Sequence, residues 1–311
     1  DNIGPRPIDQ HIKGFKALGA HVEEKENTVH ITTGPEGLHG ARIFFDLVSV
    51  GATINVLLAA VKAKGLTIME NVAREPEIVD LATFLNNMGA HIRGAGTNEI
   101  RVQGVDSLKS MNVHTIIPDR IEAGTYLSFA AANGNGVLVK NVITEHLDPF
   151  LSKLEEMGVR MEIDEDEIYV PGGDVLSPVN IKTSPFPGFA TDLQQPITPL
   201  LMQARGSSTI IDTLYPERTK HIPEMRRMGA KISSKDGIIT VGHSTDLSGT
   251  VVEAGEIRAG VSLVGLALMA KGTTVINKAD NILRGYDRIV EKFRGLSVDL
   301  EVINESESLN H

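Results

Sequence analysis

The sequence predicts an α/β protein of two domains, built from repeats of about 70 residues. A short amphipathic helix, ended by a small residue and followed by a strand, occurs five times along the chain. A second pattern, an Ala-rich helix stopped by glycine and followed by an alternating strand, occurs four times. The length of 311 residues fits two domains at roughly 150 residues each.

The first pattern has Gly or Ser at positions 19, 89, 158, 229 and 297, which lie 70, 69, 71 and 68 residues apart. A glycine just past a helix takes the left-handed conformation without a Cβ clash, so each site predicts a helix end. The segments are Phe15-Lys-Ala-Leu-Gly-Ala-His-Val22, Leu85-Asn-Asn-Met-Gly-Ala-His-Ile92, Leu154-Glu-Glu-Met-Gly-Val-Arg-Met161, Met225-Arg-Arg-Met-Gly-Ala-Lys-Ile232 and Phe293-Arg-Gly-Leu-Ser-Val-Asp-Leu300. Such regular spacing indicates a structural repeat.

The second pattern places Gly65, Gly136, Gly206 and Gly272 before strands that alternate Thr, Ile and Val. Together the patterns define four units, at approximately 40–107, 112–176, 178–246 and 248–303, while 1–37 holds only the back half of another. We therefore expect 1–116 to be the C-terminal part of a first domain and 117–311 to be a second domain. A symmetric array would need a further segment before residue 1.

Composition excludes several classes of protein. The sequence contains no cysteine, so it can form neither a disulfide nor a thiolate metal site, and we expect a reducing compartment. Nucleic-acid binding is not expected, because the net charge is -10, the chain has no tryptophan and only 4% of its residues are aromatic. No apolar stretch approaches the roughly 18 residues of a membrane span, and no secretory signal is seen. We expect a cytoplasmic protein with no membrane partner.

The common nucleotide-binding and metal-binding motifs are not found in the sequence, so they do not indicate a function. No Gly-x-Gly-x-x-Gly follows a strand, and neither a Walker motif nor His-Glu-x-x-His is present. The histidines lack metal-ligand spacing, so His11, His221 and His243 are interpreted as surface or hydrogen-bonded core residues. No metal site is predicted.

Six segments, in order along nearly the whole chain, resemble the UDP-N-acetylglucosamine enolpyruvyl transferases (the MurA family) without their N-terminal part. They are Ile3-Gly-Pro-Arg-Pro-Ile-Asp9, Val48-Ser-Val-Gly-Ala-Thr53, Arg74-Glu-Pro-Glu-Ile-Val-Asp80, Pro118-Asp-Arg-Ile-Glu-Ala-Gly-Thr125, Ala190-Thr-Asp-Leu-Gln194 and Leu283-Arg-Gly-Tyr286. The resemblance implies two inside-out α/β barrels, each of three similar units.

The resemblance also implies the reaction. The family transfers the enolpyruvyl group of phosphoenolpyruvate to the 3-hydroxyl of UDP-N-acetylglucosamine and releases phosphate, as a cofactor-free cytoplasmic enzyme that we expect to be monomeric. The alternatives are enolpyruvylshikimate-phosphate synthase and a non-catalytic relative that binds sugar nucleotides. Because the family supplies a Lys-Asn pair from the N-terminal part, we expect this chain alone to be inactive.

Three acidic residues match catalytic positions of the family. Asp192 is the leading candidate for the base, since its family counterpart accepts the sugar hydroxyl proton or shuttles protons at the enol carbon. The alternative is that Asp192 is a helix N-cap. Glu256 stands where familiar members carry Asp, and its alternative is a surface ion pair with the neighbouring Arg258. Asp1 takes the place of the cysteine that serves many members as general acid, and some members carry Asp there. The alternative is that an adjacent cysteine was lost when the chain was cut or numbered.

Substrate-binding residues follow from the same resemblance. Arg6, Arg218 and Arg284 are predicted to bind phosphoenolpyruvate across an interdomain cleft. The alternative for Arg6 is an exposed loop arginine. Backbone amides at a helix start bind anions, which suits a nucleotide phosphate at Ser49 to Gly51. The predicted UDP-N-acetylglucosamine site comprises Pro7, Ile8, Asp9, His11, Ser49, Val50, Gly51, Asp192 and Leu214.

Asp1 predicts resistance to fosfomycin, the epoxide antibiotic that alkylates the family cysteine. A carboxylate reacts poorly with an epoxide that prefers thiolates. Mass spectrometry of the complete polypeptide after incubation with the drug should show an unmodified mass. A covalent adduct accompanied by loss of activity would contradict the prediction.

Overall fold

The computed structural model describes residues 1, 3–110 and 113–303 and confirms the α/β class. The helices are α1 (Asp9–Ala17), α2 (Val50–Ala60), α3 (Pro76–Asn87), α4 (Arg120–Asn133), α5 (Asp148–Met157), α6 (Thr198–Leu201), α7 (His221–Arg227), α8 (Ile257–Ala267), α9 (Asp280–Leu283) and α10 (Ile289–Gly295). One-turn 3-10 helices cover Thr144–His146 and Thr191–Leu193. Within the described ranges, every helix is too short or too polar to cross a bilayer.

Short strands alternate with these helices. They are β1 (His21–Lys25), β2 (Thr28–Thr32), β3 (Arg42–Phe44), β4 (Leu66–Glu70), β5 (His91–Arg93), β6 (Glu99–Gln103), β7 (Val137–Lys140), β8 (Glu162–Ile163), β9 (Glu167–Val170), β10 (Asn180–Lys182), β11 (Ser207–Ile211), β12 (Ile232–Lys235), β13 (Ile238–Gly242), β14 (Val251–Glu253) and β15 (Val275–Asn277). They pair into two sheets of four strands, one of three and two of two.

The chain divides into two compact units. The N-terminal unit comprises Pro5–Pro118 and Pro185–Gly188. The C-terminal unit comprises Asp1–Gly4, Asp119–Ser184 and Phe189–His311. The assignment of 1–116 and 117–311 to two enolpyruvyl transferase domains stays a prediction.

Sheet topology confirms the sequence repeat. One four-stranded sheet has the order β3-β4-β6-β5 and the other has the order β10-β11-β13-β12. In each, the first two strands are parallel and the other neighbours are antiparallel. Segments that begin about 140 residues apart, two repeats of the sequence pattern, therefore fold with the same topology.

The helix ends of the first pattern lie where the sequence predicts them. Gly19, Gly89, Gly158 and Gly229 have φ between 91° and 99°, in the left-handed region that glycine adopts without strain. Ser297, which replaces glycine in the last copy, also has a positive φ of 62°. The left-handed turn that separates each helix from the next segment is therefore kept even where glycine is lost.

Helix α8 belongs to the core of the C-terminal unit. Its Leu263 and Leu266 pack in the main apolar cluster with Leu127 of α4, and its Val261 packs in a second cluster with Phe293 of α10. Burying side chains of this size contributes about 1.5–3 kcal/mol each. The start of α8 is thereby held in a fixed position.

The segment after Asp192, residues 193–204, does not form the continuous helix that an N-cap role for Asp192 would require. The structure has a 3-10 turn at Thr191–Leu193, irregular turns, and then only the short α6. Pro196 and Pro199 lack the N–H group that a continuing helix needs. The chain therefore bends just past Asp192.

Gly265 on α8 should not tolerate a side chain. A Cβ at this position would lie 2.2 Å from a ring carbon of Phe129, which is buried and cannot move aside. We expect Gly265→Ala to lower the free energy of unfolding by about 1–3 kcal/mol in urea titrations. Gly295→Ala, where a Cβ meets no atom within 4 Å, is the matched control and should be neutral or stabilising. Equal stability of the two variants would contradict this packing.

Candidate active site

Asp192 presents a carboxylate to two arginine side chains. Its Oδ1 accepts a hydrogen bond from Arg218 Nη1 at 2.6 Å, and its Oδ2 lies 3.6 Å from Arg258 Nη2. The side chain remains 39% exposed. It caps no helix, because the short helices at 191 and 198 have no side-chain cap. The N-cap alternative is therefore wrong.

Glu256 is a buried residue that joins Arg218 to α8. Its side chain is 1% exposed, and Oε2 accepts a hydrogen bond from Arg218 Nη2 at 3.3 Å. The same carboxylate caps α8, accepting from the backbone N–H groups of Arg258 at 3.1 Å and Ala259 at 3.0 Å. The alternative of a surface ion pair with Arg258 is wrong, since Glu256 is buried and its side-chain partner is Arg218.

Buried polar groups fix the loop that carries Arg218. The Asp212 carboxylate accepts hydrogen bonds from the Thr191 hydroxyl at 2.6 Å and from the Leu214 N–H at 3.0 Å. The backbone carbonyl of Arg218 accepts a hydrogen bond from Gln194 Nε2 at 3.1 Å. The 191–194 turn and the 212–218 loop are therefore tied together, and Asp192 meets Arg218 at their junction.

Arg258 and Tyr286 belong to the site but are absent from the residues that the sequence predicts for it. The Arg258 guanidinium carbon lies 5.1 Å from the Tyr286 ring centroid, a cation–π arrangement. Since Thr125 donates its hydroxyl proton to the Ile121 carbonyl, the Tyr286 hydroxyl donates to Thr125 Oγ1, 2.9 Å away. Two features of the sequence could have indicated these residues: Tyr286 ends the Leu283-Arg-Gly-Tyr286 segment, and Arg258 lies two residues after Glu256.

Asp1 and Arg284 form an ion pair at the start of α8. Asp1 Oδ2 also accepts a hydrogen bond from the backbone N–H of Ile257 at 3.3 Å. Ile257 lies between Glu256 and Arg258 in the chain. Direct contacts and this backbone segment thus connect five of the predicted residues: Asp1, Asp192, Arg218, Glu256 and Arg284.

Charge determines the protonation of the Asp192 carboxyl. Burial by itself raises its pKa, but the charges of Arg218, then Arg258, the hydrogen bond from Arg218 and the charge of Arg120 outweigh burial and lower the pKa below its usual range. The pKa of Arg218 is raised, because the attraction of Asp192 and Glu256 exceeds the effect of burial. Asp192 is therefore ionised at neutral pH.

The predicted nucleotide residues of the N-terminal unit gather at the start of α2. Ser49 is the N-cap of this helix, and its hydroxyl accepts from the Ala52 N–H at 3.2 Å. His11 lies over the same turn, because a Cβ at Gly51 would come within 3.1 Å of its ring. Its Nδ1 lies 2.9 Å from Asn55 Nδ2. The helix start presents Val50 and Gly51 beside the imidazole.

The other predicted binding residues are exposed. Arg6, Pro7, Ile8 and Asp9 lie in the N-terminal unit where the chain enters α1, and Leu214 lies in the C-terminal unit. Their substrate contacts, and the meeting of Arg6 with the other two arginines, stay predictions. No group of three His, Asp or Glu side chains suited to a metal ion occurs among the described residues.

Comparison with known proteins identifies the family. The family model described as EPSP synthase (3-phosphoshikimate 1-carboxyvinyltransferase) matches residues 1–293. UDP-N-acetylglucosamine 1-carboxyvinyltransferase 2 of Lactiplantibacillus plantarum is 63% identical over 307 residues, covering 99% of this chain and 72% of that protein. The chain belongs to the UDP-N-acetylglucosamine 1-carboxyvinyltransferase family. UDP-N-acetylglucosamine 1-carboxyvinyltransferase 1 of Streptococcus agalactiae is 53% identical to this chain. The alignment covers 98% of this chain and 72% of that protein.

Solved structures agree with membership of this family at the level of the fold. The enolpyruvyl transferase NikO from Streptomyces tendae has a TM-score of 0.86 at 23% identity, covering 94% of this chain and 72% of that one. EPSP synthase from Acinetobacter baumannii has a TM-score of 0.71 at 19% identity, covering 97% and 73%. The enolpyruvyl transferase fold that the resemblance implies is confirmed.

His221, the first residue of α7, should make stability depend on pH. It is fully buried, and burial, with a smaller contribution from Arg218, lowers its pKa to about 3. The unfolded chain binds this proton near pH 6.5 while the folded chain does not, so stability falls as the pH falls below that value.

Urea unfolding between pH 6.5 and 4.5 measures this contribution, which is about 1.4 kcal/mol per pH unit at most. We expect His221→Gln to flatten the dependence. The matched control is His243→Gln, which replaces an exposed histidine of the same unit. An equally steep slope in His221→Gln and the parent chain would contradict the assignment.

Proposed function

We propose that this chain, together with the N-terminal part that its relatives carry, transfers the enolpyruvyl group of phosphoenolpyruvate to the 3-hydroxyl of UDP-N-acetylglucosamine and releases phosphate, the first committed step of peptidoglycan synthesis. The observation that carries the proposal is the 63% identity to a relative with this enzyme name. The geometry supports it, because carboxylates and guanidinium groups from five distant segments meet in one unit.

The reaction requires three proton transfers at the substrates. The sugar hydroxyl must lose its proton as its oxygen bonds to C2 of phosphoenolpyruvate, and C3 must gain a proton. The double bond of the product then forms when C3 loses a proton and the C2–O bond to phosphate breaks. The protein must therefore supply a base, an acid and cations for the anionic substrate.

Asp192 is the proposed base. It is ionised and more than a third exposed, so a substrate hydroxyl can reach it. Its two oxygens face Arg218 and Arg258, which fix its orientation. General base catalysis needs a base that is held in one orientation, within hydrogen-bond distance of the hydroxyl whose proton it accepts.

Asp1 is the proposed acid, and Arg284 is a proposed ligand of phosphoenolpyruvate. In the structure these two side chains form an ion pair. An anionic substrate that binds Arg284 competes with Asp1 for the guanidinium, so binding would release the Asp1 carboxyl to take up a proton and pass it to C3. Arg6 of the N-terminal unit is a second proposed ligand of the phosphate group.

UDP-N-acetylglucosamine binding is assigned to the start of α2 and to the chain before α1. Ser49, Val50 and Gly51 offer backbone N–H groups at a helix N-terminus, which suits a nucleotide phosphate. Pro7, Ile8, Asp9 and His11 are assigned to the uracil side, and Leu214 to the sugar nucleotide. A monomer acting in the cytoplasm, with no nucleic acid or membrane partner, completes the proposal.

Asp192→Asn tests the base directly. The amide has nearly the same shape but cannot accept the proton, so kcat of the complete polypeptide should fall about 10²–10⁴-fold in a phosphate-release assay with both substrates. Asp174→Asn is the matched control, since Asp174 pairs with the exposed Arg160 in the same unit. Near-equal kcat values in the two variants would refute the role of Asp192.

A further inference from the structure

The position of Arg218 differs from that of a substrate ligand. Its side chain is 3% exposed and lies between two carboxylates, with Nη1 on Asp192 and Nη2 on Glu256. Nη1 also donates to the Thr191 hydroxyl oxygen at 3.2 Å. A guanidinium placed in this way has no accessible edge for the paired hydrogen bonds that bind a phosphate or carboxylate.

Glu256 is equally unsuited to proton exchange with substrate. Both of its oxygens already accept hydrogen bonds: Oε1 from Ala259, and Oε2 from Arg258 and Arg218. The side chain is 1% exposed, so substrate cannot reach it. A carboxylate that is fully hydrogen-bonded and buried anchors its neighbours rather than reacting.

We propose that Arg218 and Glu256 are positioning residues, in which the buried guanidinium, anchored by Glu256 to the start of α8, orients the Asp192 carboxylate and keeps it ionised. Neither side chain then binds phosphoenolpyruvate or exchanges a proton with substrate. The inference rests on the proposed function, within which it replaces the substrate-binding role predicted for Arg218 and the catalytic role predicted for Glu256.

The other charged groups that face Asp192 cannot replace Arg218. Arg258 of α8 lies 3.6 Å away, farther than a hydrogen bond, and its guanidinium is also held over Tyr286. The charge of Arg120 of α4 also lowers the pKa of Asp192. Arg218 contacts Asp192 within hydrogen-bond distance and also bridges to Glu256, which is a buried carboxylate.

Two measurements on Arg218→Met and Arg218→Lys test the proposal. The first is the ¹³C NMR titration of the Asp192 carboxyl in the 311-residue chain, which needs no activity. The second is the pH profile of kcat and KM for the complete polypeptide. Arg160→Met, which removes the ion pair between the exposed Arg160 and Asp174, is the matched control. Arg218→Lys retains the charge in case the methionine variant does not fold.

We expect Arg218→Met to raise the pKa of Asp192 by about one unit or more. The acidic limb of the pH profile of kcat should shift to higher pH by the same amount. Arg218→Lys should give a smaller shift, because an ammonium keeps the charge but cannot bridge two carboxylates. In both variants kcat should fall, while KM for phosphoenolpyruvate changes less than about threefold.

An unchanged Asp192 titration in Arg218→Lys and Arg218→Met would overturn the proposal. So would a tenfold or larger rise in KM with kcat intact, as a direct substrate ligand would give. If the parent polypeptide releases no phosphate, the proposed function fails, but the NMR titration still decides whether Arg218 controls Asp192.

Discussion

The buried guanidinium of Arg218 is the interaction on which the candidate site depends. It sits between Asp192 and Glu256, so one cation compensates two carboxylates of which one is almost wholly buried. Removing a cation from such a position leaves a buried charge without compensation, at a cost of several kcal/mol. The position of Asp192, and therefore the orientation of the proposed base, follows from this arrangement.

The fold supplies rigid supports for this interaction. The start of α8 is fixed by apolar packing along the helix and by the Glu256 cap. The 191–194 turn is fixed by Asp212, and a proline-rich bend directs the following chain away from a continuous helix. Each support is local to the C-terminal unit. The repeat architecture thus brings segments that are distant in sequence to one rigid cluster.

The helix ends of the fold could be predicted from the sequence because they depend on local backbone requirements. Glycines such as Gly89 and Gly158 predicted left-handed helix ends because that conformation depends on the residue itself. Partners of charged side chains depend on tertiary contacts that no local pattern contains. Glu256 therefore looked like an exposed partner of Arg258, whereas it is buried on Arg218, and the contribution of Tyr286 was missed.

The coupling between the buried side chains of Arg218 and Glu256 is measured most directly by a double-mutant cycle. Unfolding free energies would be compared for the parent chain, Arg218→Met, Glu256→Gln and the double variant. The account predicts that the double variant loses less stability than the sum of the single variants, by about 1 kcal/mol or more. Losses that add within about 0.5 kcal/mol would contradict it.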